Sequence, residues 1–174
     1  TSGATVNVSG DVSTVSGPTV VYAVSSGGNV DVTTGDVTGA FAGVVATAFT
    51  GSVTVDTTAG IVSASGGTGI TATAGNGTVE IDTGVVTATG KGISASATGD
   101  IDITSSGLVT GSGPGDEGIL AFSVNGNVTM DLAGVSGDSY GVYADAGDSV
   151  DITSTGDITG ANADGIYAFA VSGG

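Results

Sequence analysis

Four carboxylates, Asp56, Glu80, Asp82 and Asp102, recur at related places in a repeating sequence. Carboxylate oxygens are ligands for hard cations, and Ca2+ takes about six to eight oxygens. Acids carried on neighbouring rungs of one sheet would offer part of such a set. Ca2+ is thus the one cofactor the sequence proposes, with these four residues as its candidate ligands; otherwise none is expected. The plainer use of the same residues is a solvated acidic wall that keeps molecules apart. Two carboxylates can also cleave a glycoside, but no motif singles out a pair. The chain has no His and no Cys, and its one base is Lys91, so it has no Arg. That removes the commonest general base, the thiol nucleophile and the usual cationic clamp. The expectation is a protein that is not an enzyme.

Seventeen acids against one base give a net charge of −16. Nucleic-acid binding needs a cationic footprint that displaces counterions, and anionic lipid surfaces need one too. Neither partner fits. No stretch of about 18 apolar residues occurs, so no membrane insertion of this segment is expected. A hydrophobic fraction of 39% argues for a folded core despite the charge. Without Cys, no disulfide staples that core, and packing must hold it.

The elements that would position these residues are short strands. Gly is 34 of 174 residues, against an ordinary share of about 7%. Asp148 to Val171 shows the pattern: Val150/Ile152, then Ile158, then Ile166/Ala168/Ala170, with alternation inside each run and Gly or Asp between runs. Copies open at Val6, Val30, Val53, Val79, Ile101, Val128 and Val150, spaced 22 to 27 residues apart. The second strand is marked by Val12, Val37, Val62, Val86, Val109, Val135 and Ile158. The third is marked by Val21, Val44, Ile70, Ile93, Ile119, Val142 and Ile166, each but the first preceded by Gly. One such unit cannot bury its own apolar face, so copies must stack. The chain is therefore read as all-β: a right-handed parallel β-helix of three-strand coils, about seven coils of 22–27 residues. Residues 1–174 form one β-solenoid domain. Residues 111 to 117, G-S-G-P-G-D-E, are an insertion expected to bulge between the second and third strands.

In this register the outward residues of the third strand form two columns. One is Tyr22, Val45, Thr71, Ser94, Leu120, Tyr143, Tyr167; the other is Val24, Thr47, Thr73, Ser96, Phe122, Asp145, Phe169. The middle is polar and the ends are apolar. Contiguous exposed apolar area marks contacts, and Tyr is enriched at interfaces. Tyr22, Leu120, Phe122, Tyr143, Tyr167 and Phe169 are thus the candidate interaction patch. Thr71/Thr73 and Thr87/Thr89 lie on different strands, so no regular Thr array is expected.

The phrases G-D-I-T-G-A-N-A-D-G-I-Y-A (156–168), G-D-I-D-I-T-S-S-G-L-V-T-G (99–111) and G-N-V-D-V-T-T-G-D-V-T-G (28–39) resemble the repeats in passenger regions of bacterial autotransporters and related large surface adhesins. The resemblance covers nearly the whole chain. It implies a Gram-negative cell surface, secretion through the outer membrane and a structural or adhesive stalk. That family's signal peptide and carboxy-terminal barrel are not among these residues, so the expectation is a fragment of, or repeat unit in, something longer. The leading functional expectation is an extracellular structural or adhesive module whose partner is itself or a host or cell-surface ligand. The alternatives are a subunit that assembles end to end into an extracellular filament or sheath, and a Ca2+-dependent surface-layer component.

Overall fold

The computed structural model describes residues 3–8, 12–13 and 19–171. The described residues contain strands and turns but no helix, and so no helix long and apolar enough to cross a membrane. Three seven-stranded parallel sheets wind into a β-helix. Sheet one is β1 (Ala4–Val8), β4 (Val30–Thr34), β7 (Val53–Thr57), β10 (Val79–Thr83), β13 (Ile101–Ser105), β16 (Val128–Leu132) and β19 (Val150–Ser154). Sheet two is β2 (Val12–Ser13), β5 (Val37–Gly39), β8 (Val62–Ala64), β11 (Val86–Ala88), β14 (Val109–Gly111), β17 (Val135–Gly137) and β20 (Ile158–Gly160). Sheet three is β3 (Thr19–Ser25), β6 (Ala42–Ala48), β9 (Ile70–Ala74), β12 (Ile93–Ala97), β15 (Ile119–Ser123), β18 (Val142–Ala146) and β21 (Ile166–Ala170). Each coil takes one strand from each sheet.

The period-two alternation makes these strands, because every second side chain must enter a core walled on three sides. Val53/Val55, Ile81, Ile93/Ala95 and Ile119/Ala121 are buried there. A large residue beside a small one fits the narrow interior. Burying each Val or Ile stabilises by roughly 1.5–3 kcal/mol. The last inward place on sheet one is a hydroxyl in most coils: Thr34, Thr57, Thr83 and Ser105 are buried, and Leu132 interrupts the series. Thr57 and Thr83 satisfy each other across the rungs at 2.7 Å. The sequence reading did not include these polar interior places.

The expected register holds from the second coil onward, strand by strand: Val30 opposite Val53, Val79 opposite Ile101, Val128 opposite Val150. In the first coil Val12 and Val21 also hold it, opposite Val37 and Val44, but the first strand differs. Val6 was expected opposite Val30, but Ala4 takes that place and Val6 pairs with Val32. A slip of two residues keeps every side chain on its face, so alternation could not reveal it. The backbone does, since the Ala4 N–H donates to the Asn29 carbonyl at 2.9 Å.

The glycine before each third strand has a steric reason. A Cβ on Gly69 would lie 2.5 Å from Val86 Cγ1 and 2.7 Å from the Gly92 carbonyl oxygen, both on the next coil. Gly92 faces the Gly118 oxygen at 2.5 Å and Val109 Cγ1 at 2.6 Å in the same way. Only the absence of a Cβ lets successive coils close at this corner.

The insertion at 111–117 does not hang free. Lys91 Nζ reaches Asp116 Oδ1 at 2.9 Å and Glu117 Oε2 at 3.3 Å. The Gly115 N–H donates to Asp138 Oδ2 at 2.8 Å, and the Ser139 N–H to the Asp116 carbonyl at 2.9 Å. Gly115 has φ of 80°, which a glycine adopts at no steric cost. The loop is thus tied to the coil before it and the coil after it.

Candidate functional site

The outward columns of sheet three run as the sequence predicts. Leu120 faces Tyr143, Tyr143 faces Tyr167, and Asp145 lies between Phe122 and Phe169. The strands hold these side chains because inward Ile119, Ala121, Val142 and Ala144 are locked in the core. Tyr143 and Tyr167 stack with ring centroids 4.9 Å apart and planes 17° apart, the spacing the rungs themselves impose at about 4.8 Å. Tyr140, on the turn before β18, was not among the predicted patch residues. Its ring meets Tyr143 edge-on at 5.7 Å and Tyr167 tilted at 5.6 Å. No strand periodicity marks a turn residue such as Tyr140, three residues past the Gly137 strand end.

Phe122 and Phe169 are exposed beside this cluster, and Leu120 is half-buried. Tyr22 is 68% exposed and stands at the opposite end of the same column, six rungs away, with exposed Val24 beside it. The structure therefore brings five of the six predicted patch residues onto one end of sheet three, adds Tyr140, and leaves Tyr22 at the other end. Desolvation holds the Tyr143 phenol above its ordinary 10.0, with Tyr167, Asp145, Tyr140 and Glu117 adding to the effect. The cluster is an aromatic platform with acid at its edge, suited to contact by stacking rather than to proton transfer.

The four candidate cation ligands separate into two pairs. Glu80 faces Asp102, and Asp82 faces Asp56, on different outward columns of sheet one. Asp56 already accepts from the Thr58 N–H at 3.0 Å and the Thr58 hydroxyl at 2.6 Å, closing a turn. Asp100, not Asp56, joins Glu80 and Asp102 around a shallow polar depression. Among the described residues no group of three or more such side chains is gathered to hold a metal ion.

Several other acids have a structural use. Asp36 Oδ1 accepts from the Ile61 N–H at 2.7 Å, and Asp100 Oδ1 from the Asn127 N–H at 2.8 Å. Each carboxylate caps the turn of the next coil.

Sheet two carries a feature the sequence reading missed. Its outward residues are Ser13, Thr38, Ser63, Thr87, Thr110, Ser136 and Thr159, one hydroxyl on every rung in a single column. The signal was present: a Ser or Thr follows each second-strand aliphatic. The Thr-x-Thr pairs drew attention instead, and those do fall on separate sheets.

Comparison with family models, with curated proteins and with solved structures gives no match to this chain.

Proposed function

We propose that the chain is an extracellular structural and adhesive β-solenoid module of a bacterial surface protein, working by shape and contact without catalysis. One observation carries this reading. Several of the side chains able to do chemistry hold coils together, and others cover one face with aromatic rings. Lys91, Asp116 and Glu117 clamp a loop; Asp36 and Asp100 cap turns. Among the outward apolar side chains, Tyr140, Tyr143, Tyr167, Phe122 and Phe169 gather into one platform. Stacked backbone ladders make a stiff rod about 30 Å long at the rung spacing, and the acidic wall on sheet one keeps rods soluble. The resemblance of the repeats to autotransporter passengers and surface adhesins supports the location.

The test has two parts. Antibody raised against the purified chain should label intact source cells, and external protease should remove the label. Cells that label only after lysis remove the surface assignment. Immobilised chain should retain its surface ligand, and Tyr143→Ser with Phe122→Ser should abolish that retention. Retention unchanged by the double variant removes the platform from the function.

A further inference from the structure

Three successive rungs at the corner before sheet three carry Lys91, Glu117 and Tyr140. The Gly92 N–H donates to the Glu117 carbonyl at 3.3 Å and the Gly118 N–H to the Tyr140 carbonyl at 3.1 Å, which sets the three in one line. Lys91 is the one basic side chain in the sequence. Its ammonium lies 2.9 Å from Asp116 and 3.3 Å from Glu117. The chain thus shows, within itself, how this corner takes a cation: at carboxylates on the rung beside a ring. The remaining acids have no basic side chain of the chain left to pair with.

Next to that corner stand the rings. Tyr143 meets Tyr140 at 5.7 Å. Asp145 follows two places along the same strand, opposite Phe122, which is 44% exposed. The charges of Asp145 and Glu117 both reach the Tyr143 phenol. Glu117, Phe122, Tyr140, Tyr143 and Asp145 belong to the fifth and sixth coils, and each of those coils has a coil on either side.

Rings bracketed by carboxylates suit a cation, because the ring faces attract it through their quadrupole and the acids through their charge. Guanidinium fits this setting better than ammonium. It is planar, stacks on aromatic rings, sheds water more readily and pairs with a carboxylate through two donors. Other faces lack one half of the combination. Sheet one carries Asp56, Glu80, Asp82 and Asp102 without rings, and the middle of sheet three carries Thr71, Thr73, Ser94 and Ser96. The net charge of −16 adds a long-range pull on any cationic partner.

We propose that the platform of Tyr140, Tyr143 and Phe122, bracketed by Glu117 and Asp145, docks an arginine-bearing segment of a partner protein. The inference rests on the platform reading above and names the chemistry of its partner.

Two synthetic peptides test it, one of arginine and glycine and one of lysine and glycine, equal in length and charge. Each is titrated calorimetrically into the full chain at physiological salt. The arginine peptide should bind about tenfold more tightly than the lysine peptide. Tyr140→Ser with Tyr143→Ser should remove that preference, while Tyr143→Phe, which keeps the ring, should retain it. Far-ultraviolet circular dichroism checks that the strands of each variant are intact. Asp145→Asn should weaken the arginine peptide several-fold. Asp82→Asn makes the same charge change on sheet one and should leave binding as it is. Equal affinity for the two peptides, or an Asp82→Asn loss as large as that of Asp145→Asn, would show contact with the overall charge and overturn the inference. An arginine peptide that does not bind, with the surface ligand still retained through Tyr143 and Phe122, also overturns it and leaves the platform reading standing. Peptide binding as described, with cells that label only after lysis, removes the location alone.

Discussion

The fifth and seventh coils have nearly the same sequence and different surroundings. One reads I-D-I-T-S, then V-T-G, then I-L-A-F-S; the other reads V-D-I-T-S, then I-T-G, then I-Y-A-F-A. In the fifth coil Ile101, Ile103 and Ile119 are buried. In the seventh, Val150 and Ile152 are half-buried and Ile166 is exposed. The repeat pattern decides which way a side chain faces. Whether it is buried depends on a rung on each side. Stability in such a stack is close to a sum of nearest-neighbour contacts, and among the described residues the seventh coil has one neighbour where the fifth has two.

The largest expected effect separates these two coils directly. Ile119→Ala should cost about 2–5 kcal/mol, as for a core truncation. Ile166→Ala at the matching position should cost below about 1 kcal/mol, since much of that side chain already faces water. Urea melts of both variants measure the difference. Equal costs would mean that something covers the seventh coil in solution. Next in size is Gly92→Ala, expected to cost about 1–3 kcal/mol because its Cβ has no space beneath the fifth coil. Hydrogen exchange should show the loosening on both sides of that corner. Without the substitution, protection should be highest in coils three to six and lowest in β19–β21.

Lys91→Met should cost roughly 1 kcal/mol, the range of a partly exposed ion pair, and should free the 111–117 loop for proteolysis at Pro114 and Gly115. The hydrogen bond to Asp116 first, and the charge of Glu117 after it, hold the Lys91 ammonium above its ordinary 10.5, against the opposing effect of burial. The folded chain therefore keeps this proton more tightly than the unfolded one. The contribution is complete below pH 10.5 and is lost as the pH rises through the raised value. Tyr143, raised above 10.0, gives the same sign in the same alkaline range. A melt series in alkaline buffer should lose stability there, and Tyr143→Phe should remove part of the loss. The smallest effect is on the acidic wall. Asp82→Asn relieves a like-charge pair with Asp56 and should stabilise by about 0.2–1 kcal/mol at low salt, with the gain fading as salt is added.

Particular residues show how far the sequence could be read. Val37, Val62 and Val86 mark sheet two without ambiguity, because a lone aliphatic between Gly-rich turns recurs in every copy. Ala4 was missed because Ala is a weak mark of an inward place, and a two-residue slip preserves alternation. Tyr140 was missed because it joins the patch from a turn, where nothing periodic predicts a direction. The capping roles of Asp36 and Asp100 were not legible, since a carboxylate that caps a neighbour 25 or 27 residues away is not local to its own turn.

By itself the sequence determined the strand pattern, the three faces, the order of the coils and the outward columns, because alternation and repeat length are properties of neighbours along the chain. Only the tertiary structure decided the register of β1, the acids that join coils, the loop closed by Lys91, and which apolar residues are covered. Those are distances between rungs, and a rung's exposure is settled by what lies above and below it.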